Sequence, residues 1–435
     1  MSGLVIDGFA GGGGASTGIA RALGHVDVAI NHDPQAIAMH QANHPEARHY
    51  CESIYDVDPV EACEGDPVWF AWFSPDCTHH SRARGGKPRA KGIRGLAWVV
   101  TKWARAVRPS IIIVENVEEF RDWGPLDGHD QPIEARKGET FREWVGQLER
   151  LGYEVDHRTL VACDYGAPTS RKRLFILARC DGQPIVWPEP THGPGRAPHR
   201  TAAEIIDWTI PRPSIFARKK SLAEKTLVRI ASGVRRYVLS GNPYVVELHD
   251  GLAAATMVQT GYGERQGQAP RALDIRKPLG TVVAQGAKHC FVAALLTKHF
   301  GGVVGHEVTR PIGTVTAIDH HALTTATLTR EGCAKVDAFI GKYAPANNQT
   351  SLFASDVVVH EGERYRVADI GTRMIGPREL FNAQGFPRDY VIDPMIGGKP
   401  LSKTKQIAKA GNSVCPDVAE ALVRANVYSR AEAAE

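Results

Sequence analysis

The sequence predicts an α/β fold with a doubly wound sheet, accompanied by a smaller, irregular, β-rich domain. Three observations support this prediction. At 435 residues the chain is longer than one ordinary domain and suits two. Short apolar runs alternate with helical patterns through the first part of the chain. A glycine-rich turn at residues 11–14 follows the first apolar run, which is typical of sheets that bind nucleotides.

The elements of the first part follow in chain order. Apolar runs predict strands at residues 4–6, 26–30, 68–73, 111–114 and 173–178. Helical periodicity predicts helices at residues 15–23, 34–43 and 141–151. Because ligands bind at the carboxyl ends of parallel strands, the residues that follow 73 and 114 are expected to share a crevice.

The second part has a different character. A stretch rich in proline, glycine and histidine at residues 183–198 marks a boundary, and residues 214–239 predict a basic helical segment. Residues 276–282 and 310–315 form a weak internal repeat, and two copies are too few for a solenoid. A small β-rich domain is therefore expected here. From Asp369 the chain regains helical periodicity, with helices at 378–384 and 416–428.

Composition and charge limit the class of protein. The net charge of +4 is only mildly basic, and the apolar content suits a globular chain with a full core. No apolar run is long enough to cross a bilayer, and no signal-peptide pattern is present, so a cytoplasmic protein is expected. The eight cysteines form no CxxC pair, which favours reduced thiols. Adjacent histidines such as His79 and His80 rarely bind one ion together, so no metal is expected.

Two candidate catalytic side chains follow the two central strands. Cys77 stands in a proline-containing turn after residues 68–73, and Glu115 follows residues 111–114. An isolated cysteine is more commonly structural, but a thiolate here could attack C6 of a pyrimidine. The carboxylate could hydrogen-bond N3 and the amino group of a cytosine and so polarise C6. With the glycine loop, these groups favour covalent attack on a pyrimidine and transfer of a carbon group from a nucleoside-bearing donor.

Polar and basic residues cluster beside these positions. Residues 82–94 contain no acid and include Arg82, Arg84, Lys87, Arg89, Lys91 and Arg94. Such a stretch suits a loop that binds phosphates, or a solvated loop without a partner. Arg171 and Arg173 flank Lys172 and could bind a phosphate or a carbonyl oxygen, or form a surface basic cluster. Asn31 and Asp33, after the second strand, could hold a ribose diol.

In this order the motifs resemble those of the DNA (cytosine-5)-methyltransferases, particularly the phage and bacterial forms. Residues 7–18 are similar to the D-x-F-A-G-x-G-G-x-x-x-G donor loop, and residues 74–81 to S-P-P-C-Q-x-x-S. Residues 115–117 match E-N-V, and residues 164–173 resemble D-Y-G-x-P-Q-x-R-x-R. Residues 378–387 resemble R-E-x-x-R-L-Q-G-F-P, and Gln406 with residues 411–414 resembles the final Q-x-x-G-N-x-V motif.

The resemblance implies a Rossmann-like domain that depends on S-adenosylmethionine and a target recognition domain that binds double-stranded DNA. Residues 1–189 would begin the catalytic domain, 190–367 would form the recognition domain, and 368–435 would complete the catalytic domain. Cys77 would be the nucleophile, with Glu115, Arg171 and Arg173 completing the catalytic set. Donor contacts would be Phe9, Gly11, Gly13, Gly14, Asn31, Asp33, Ser53, Ile54, Asp76, Leu96, Asn412 and Ser413. DNA contacts would be Ser81, Arg82, Arg84, Lys87 and Arg89, and the enzyme is expected to be a monomer.

Several positions depart from the family pattern. Asp76 replaces a proline and Thr78 a glutamine beside the nucleophile, and Gly8 replaces a leucine in the donor loop. Asn31 stands where the family has a ribose-binding glutamate, and Ser53 where an aspartate meets the adenine of the donor. The predicted donor pocket is therefore less acidic than usual. A carboxylated S-adenosylmethionine is one hypothesis for the donor.

Three alternatives stay open. The same fold could act on RNA, although the long segment 190–367 favours DNA because the RNA-acting relatives carry a shorter one. A catalytically silent DNA-binding relative is disfavoured because Cys77, Glu115, Arg171 and Arg173 are all present. A nicotinamide-dependent oxidoreductase would share only the glycine loop.

Overall fold

The computed structural model describes residues 3–76, 95–129, 131–239, 242–248, 251–260, 264–284, 286–298, 323–344 and 357–427. They form two compact units: the first comprises residues 1–205, 278–286 and 376–435, and the second comprises 206–277 and 287–375. The predicted boundaries, after residues 189 and 367, lie earlier in the chain than the observed ones, which follow residues 205 and 375. The residues that lie outside the described ranges include the second copy of the repeat and the predicted Cys77, Ser81, Arg82, Arg84, Lys87 and Arg89.

The first unit begins with a large sheet and its helices. Its strands are β1 (Leu4–Gly8), β2 (Val28–Ile30), β3 (Arg48–Tyr50), β4 (Val68–Phe73), β5 (Ile111–Asn116), β6 (Glu154–Val161) and β7 (Lys172–Arg179). Its helices up to this point are α1 (Gly14–Leu23), α2 (Pro34–Asn43), α3 (Pro59–Ala62), α4 (Trp98–Ala106) and α5 (Glu139–Arg150).

The second unit contains an antiparallel sheet and two helices. The elements are α6 (Glu224–Gly233), β8 (Val245–Leu248), β9 (Gly251–Gln259), β10 (Ala272–Leu273), β11 (His289–Lys298), α7 (Leu323–Tyr343), β12 (Val357–His360) and β13 (Glu363–Met374). The strand order is β10-β9-β11-β13-β12, with β8 paired to β9. Ile230 of α6 and Phe339 of α7 pack with Val292 of β11 in one apolar cluster. A β-rich second unit was predicted, but the length of α7 was not.

The chain then returns to the first unit. The elements here are α8 (Pro377–Ala383), the short pair β14 (Met395–Ile396) and β15 (Lys399–Pro400), α9 (Lys403–Asn412) and α10 (Pro416–Val427). Among the described residues, no helix of either unit is both long and apolar enough to cross a membrane.

The sheet of the first unit is mixed and covered on both faces. Its order is β3-β2-β1-β4-β5-β7-β6; the strands from β3 to β5 run parallel, and β7 is antiparallel to both of its neighbours. Ile112 faces a layer that contains Trp103 of α4, and the next residue, Ile113, faces a layer that contains Ile19 and Leu422 of α1 and α10. Fully burying each such side chain stabilises the fold by about 1.5–3 kcal/mol. The predicted doubly wound α/β fold is confirmed.

The parallel part of the sheet grows in both directions from β1: the strands β2 and β3 lie on one side of it, and β4 and β5 on the other. The strands β2 and β4 lie on either side of β1, so the loops after β1 and β4 diverge to opposite faces. Such a switch point leaves a crevice at the carboxyl ends of the strands, where ligands bind in doubly wound folds. The glycine-rich turn follows β1, and the turn that leads to Cys77 follows β4.

Most predicted elements are present, and two predictions are wrong. The strand at 68–73 and the helix at 34–43 have the predicted bounds. Helical periodicity does not begin at Asp369, because residues 363–374 pair with β11 and β12 as the strand β13. The predicted helix from Ser214 begins only at Glu224, since Ser214 bridges to Gly371 of β13 in a β-bridge. In both cases long-range strand pairing overrides the local pattern.

Candidate active site

The turn after β4 is held against the end of β5. Ser74 donates its backbone N–H to Gly8 O at 3.2 Å, and Trp72 Nε1 donates to Ser74 Oγ at 2.9 Å. The amide Nδ2 of Asn116 donates to Pro75 O at 3.2 Å. Asp76, the last described residue of this turn, is exposed. The turn is therefore held beside the end of β5 as far as Pro75.

Glu115 and Arg173 form an ion pair at this edge of the sheet. Glu115 lies in β5 rather than after it, is 7% exposed, and its Oε1 lies 3.1 Å from Arg173 Nε. Arg173 reaches it from the neighbouring strand β7, which pairs with β5 directly. A carboxylate held in this way by a guanidinium is oriented as well as charged, and one oxygen stays available for a second partner.

Arg171 has different partners from Arg173. It is 4% exposed, and its Nη1 donates to Val282 O at 3.1 Å and to Gly411 O at 2.9 Å. It therefore joins the segment 278–286 and the end of α9 to the start of β7. The neighbouring Ser170 adds a backbone hydrogen bond to Leu279 O at 2.8 Å. These contacts stabilise the first unit, and a catalytic role for Arg171 stays a prediction.

Cys415 lies beside this group, although sequence reasoning did not select it. The thiol is buried and donates to Gln384 Oε1 at 3.1 Å. Burial raises its pKa to about 12, and the charges of Arg171, Arg173 and Glu115 also act on it. The thiol is thus neutral at physiological pH and belongs to the apolar layer that contains Ile113. The residues around Cys415 do not distinguish it from an ordinary core cysteine, so the sequence could not have identified it.

The glycine turn after β1 combines tight packing with one open position. The backbone of Phe9 has a φ of 67°, and those of Gly11 and Gly13 have φ values of 55° and 91°. A Cβ on Gly13 would lie 2.2 Å from the hydroxyl of Tyr390, which donates to Gly12 O at 2.6 Å. A Cβ on Gly11 would meet only Phe9 O, at 3.8 Å.

The turn therefore leaves open space on its Gly11 side. At Gly13 glycine is required by the protein's own packing, whereas at Gly11 the left-handed backbone opens onto free space. Gly14 begins α1, so the N-terminus of a helix follows this turn directly.

Asn31 and Asp33 lie at the end of β2 but are already engaged. Asn31 Oδ1 accepts from Asp33 N at 2.9 Å, and Asp33 Oδ1 accepts from Gln35 N at 2.8 Å and caps α2. The other carboxylate oxygen of Asp33 pairs with Lys409 of α9. Burial alone would raise the pKa of Asp33, but the hydrogen bond and charge of Lys409 lower it. A ribose diol would compete with Lys409 for this carboxylate.

The other predicted donor contacts lie around the same edge or nearby. Ile54 is buried and lies against Gly8, and Ser53 Oγ accepts from Tyr55 N at 3.4 Å. Leu96 O accepts from Val99 N at 3.1 Å just before α4. Asn412 ends α9, and the Oγ of the buried Ser413 donates to Val414 O at 2.9 Å. Their roles as donor contacts stay predictions.

A buried polar chain, also missed by sequence reasoning, runs behind the glycine turn. Ser16 Oγ donates to Asp7 Oδ2 at 2.6 Å and lies 2.8 Å from His40 Nε2, and His40 Nδ1 lies 2.7 Å from His49 Nε2. Because the hydroxyl hydrogen points at Asp7, His40 Nε2 donates to Ser16 and His40 Nδ1 accepts from His49. Asp7 Oδ1 has no hydrogen-bond partner in the described part of the chain.

Burial disfavours charge on Asp7 and His40. It raises the pKa of Asp7 from 3.8 to about 7 and lowers that of His40 well below its usual value. Between about pH 4 and pH 7 the folded protein thus retains on Asp7 a proton that the unfolded chain has already released. The contribution of Asp7 to stability is present below this window and is lost as the pH rises through it.

We expect Asp7→Asn to gain stability relative to the wild type as the pH rises from about 5 to about 8, by about 2–3 kcal/mol. Asparagine keeps the shape of the side chain and cannot ionise. Urea unfolding of both proteins at a series of pH values measures this difference. His40, His44, His49 and Tyr390 are present in both proteins, so their titration cancels in the comparison. A difference that does not change with pH would contradict the prediction.

Comparison with known proteins assigns this arrangement to a family. A family model described as C-5 cytosine-specific DNA methylase matches residues 4–230 and 303–427, more than half of the chain. The chain is 30% identical over 232 residues to the type II methyltransferase M.AgeI of Thalassovita gelatinovora, covering 52% of this chain and 49% of that protein. It is 30% identical over 217 residues to the type II methylase M.HgiDII of Herpetosiphon aurantiacus, covering 47% and 54% respectively. The chain thus spans about half the length of these curated relatives.

A solved structure agrees on the fold. A mutant of Spodoptera frugiperda DNMT2 superposes with a TM-score of 0.51 and 13% sequence identity, covering 97% of this chain and 99% of that one. At this identity the likeness concerns the fold alone.

Proposed function

The chain belongs to the family of C-5 cytosine-specific DNA methylases, and on this premise we propose that it methylates C5 of cytosine in double-stranded DNA. The observation that carries the proposal is the buried pair of Glu115 and Arg173, beside the turn that leads into Cys77. This pair supplies an oriented carboxylate where the edge of a cytosine would meet the nucleophile. We also propose that the protein acts as a monomer in the cytoplasm.

The proposed mechanism begins with a cytosine flipped out of the duplex, since C5 and C6 cannot be reached inside the stack. The Cys77 thiolate adds to C6 and forms a carbon–sulfur bond, while Glu115, in its protonated form, donates to N3 and accepts from the amino group through its other oxygen. The electron pair displaced by this addition makes C5 nucleophilic. Arg173 keeps the Glu115 carboxylate oriented throughout. Once C5 has gained the methyl group, loss of the C5 proton to a base expels Cys77 from C6 and restores the aromatic ring.

The donor that we propose is S-adenosylmethionine, which when bound supplies an electrophilic methyl group. The open side of the turn at Gly11 and the N-terminus of α1 would receive it, and Asp33 would hold the ribose in competition with Lys409. The carboxylated donor has no support from the comparisons, since both curated relatives are named for methyl transfer.

The DNA contacts that we propose come from the basic loop. Ser81, Arg82, Arg84, Lys87 and Arg89 follow the nucleophile in the sequence and carry no neighbouring acid. A loop of this composition would neutralise several phosphates, so DNA binding should weaken steeply with salt. The recognised sequence would be set by base contacts from other residues.

Nucleoside mass spectrometry tests the proposed reaction. Duplex DNA incubated with the protein and S-adenosylmethionine should yield 5-methylcytosine, and Cys77→Ala should abolish the product while DNA binding remains. Cys51→Ala, at an exposed free cysteine, is the matched control and should keep full activity. If Cys77→Ala retains most of its activity, the mechanism is wrong. If tRNA is methylated and DNA is not, the substrate is wrong.

A further inference from the structure

A cysteine, an aspartate and a histidine converge on the turn between β6 and β7. Cys163 Sγ lies 3.8 Å from Asp164 Oδ1, and His199 Nε2 lies 2.9 Å from the same oxygen. Each of the three residues offers one ligand atom, and the three atoms all lie within 4.8 Å of one another. The residues belong to the first unit, and the histidine comes from a segment far along the sequence.

We propose that Cys163, Asp164 and His199 bind a zinc ion. Tetrahedral zinc holds thiolate sulfur at about 2.3 Å and imidazole or carboxylate atoms at about 2.0–2.2 Å, so its ligands lie about 3.3–3.6 Å apart. The Sγ–Oδ1 and Nε2–Oδ1 separations of 3.8 and 2.9 Å lie on either side of this range. A thiolate and a carboxylate together balance the charge of a divalent ion, and sulfur with nitrogen favours zinc over magnesium or calcium.

The exposure of the three side chains suits entry of an ion. Cys163 is buried, whereas the side chains of Asp164 and His199 are 34% and 31% exposed. The thiol would therefore form the inner wall of the site, and the ion would reach it from the solvent side. On binding, the thiol gives its proton to solvent and its sulfur forms the bond to the metal. Three protein ligands leave a fourth position for water.

The loop that carries the histidine is already folded onto the turn. Thr191 N and His192 N both donate to Asp164 O, at 2.9 and 3.0 Å, and Gly193 N donates to Ala197 O at 2.8 Å. The ring of His192 lies over Gly166, where a Cβ would come within 3.1 Å of its Cε1. This backbone framework holds His199 close to Asp164 before any ion binds.

A zinc ion here would fasten the loop 191–199 to the turn that precedes Arg171 and Arg173. Residues 191–198 of this loop belong to the stretch 183–198, which the sequence predicts to be a domain boundary. The contact between this loop and the turn was not predicted. The expectation of no metal rested on adjacent histidines elsewhere in the chain. The proposed site joins residues whose proximity only the fold creates.

Cobalt substitution tests the proposal directly. The full chain, stripped with chelator and titrated with Co²⁺ alone, should bind one equivalent and show thiolate-to-cobalt charge-transfer absorption that Zn²⁺ abolishes. Cys163→Ser should lose the charge-transfer absorption, and His199→Gln should weaken the affinity at least about tenfold. Zn²⁺ should also raise the thermal unfolding temperature of the wild type but not of His199→Gln.

Two matched controls make the test specific. His192→Gln alters the other histidine of the same loop, whose Nδ1 pairs with Thr191 Oγ1 at 2.8 Å, and should leave binding unchanged. Cys51→Ser removes an exposed thiol and should keep the absorption. The proposal is overturned by absorption that survives Cys163→Ser, by binding without thiolate absorption, or by no binding. Since His199 is partly exposed, its variant remains informative if Cys163→Ser fails to fold.

Discussion

Glu115→Gln should lower the rate of methyl transfer by about 100-fold to 10,000-fold, the range found for groups that move or hold a proton in the transition state. Glutamine keeps the length of the side chain but loses the charge that pairs with Arg173 at 3.1 Å. It also cannot hold a proton for N3 of the cytosine as a carboxyl group can. Single-turnover rates with saturating DNA and S-adenosylmethionine measure the chemical step without product release.

Glu118→Gln is the matched control for this change. Glu118 is also a carboxylate close to β7, but its side chain is 43% exposed and pairs with Lys172 and Arg121. Exposed ion pairs contribute little to stability, so this variant should fold and react as the wild type does. Equal losses of rate in both variants would mean that Glu115 acts only through its negative charge and not through contact with the cytosine. A Glu115→Gln enzyme with normal rates would exclude its role at the cytosine.

Arg171→Met should destabilise the first unit by about 2–6 kcal/mol, because it leaves two buried carbonyl acceptors without their donor, at about 1–3 kcal/mol each. Val282 O and Gly411 O would both lose the hydrogen bonds from Nη1, and two distant chain segments would lose their common anchor. The midpoint of urea unfolding, measured at pH 7, gives the size of this effect. Binding of S-adenosylmethionine to the folded fraction should be retained.

Arg173→Met separates stability from chemistry in the same strand. The side chain of Arg173 is 17% exposed and pairs with Glu115. Arg173→Met should therefore lower the free energy of unfolding less than Arg171→Met does, and it should lower the rate of methyl transfer more. The opposite pattern is equally informative. If Arg171→Met stays as stable as the wild type yet does not react, Arg171 is a catalytic residue, as the family resemblance implies, and the structural role is wrong.

The sequence was sufficient to place the strand ends but not the contacts made across the chain. Continuous apolar runs at 68–73 and 111–114 are unambiguous buried strands, so the turn before Cys77 and the position of Glu115 follow from them. Proline after a capping aspartate likewise marks the start of α2 at Pro34. Strand direction has no such signal, which is why the antiparallel course of β7 was not predicted.

The contacts of Arg171 could not be predicted from local sequence patterns. Its partners at residues 282 and 411 lie far along the chain, and one belongs to a nine-residue segment with no element of its own. The polar chain from Asp7 to His49 is similar, because each member is an ordinary polar residue until the fold brings them together and buries Asp7, Ser16 and His40. Polar partners of this kind are set by topology, and single-sequence patterns carry no information on them.

The packing of α10 on α1 has a consequence for how the protein is made. Leu422 covers the same apolar layer as Ile19, so that layer stays open to water until the ribosome has synthesised some four hundred further residues. At about 5–20 residues per second, this delay lasts roughly 20–80 s. Contacts of such sequence separation also form slowly once both partners are available. The nascent chain therefore carries an uncovered sheet face through most of its synthesis, which is the state that chaperones bind.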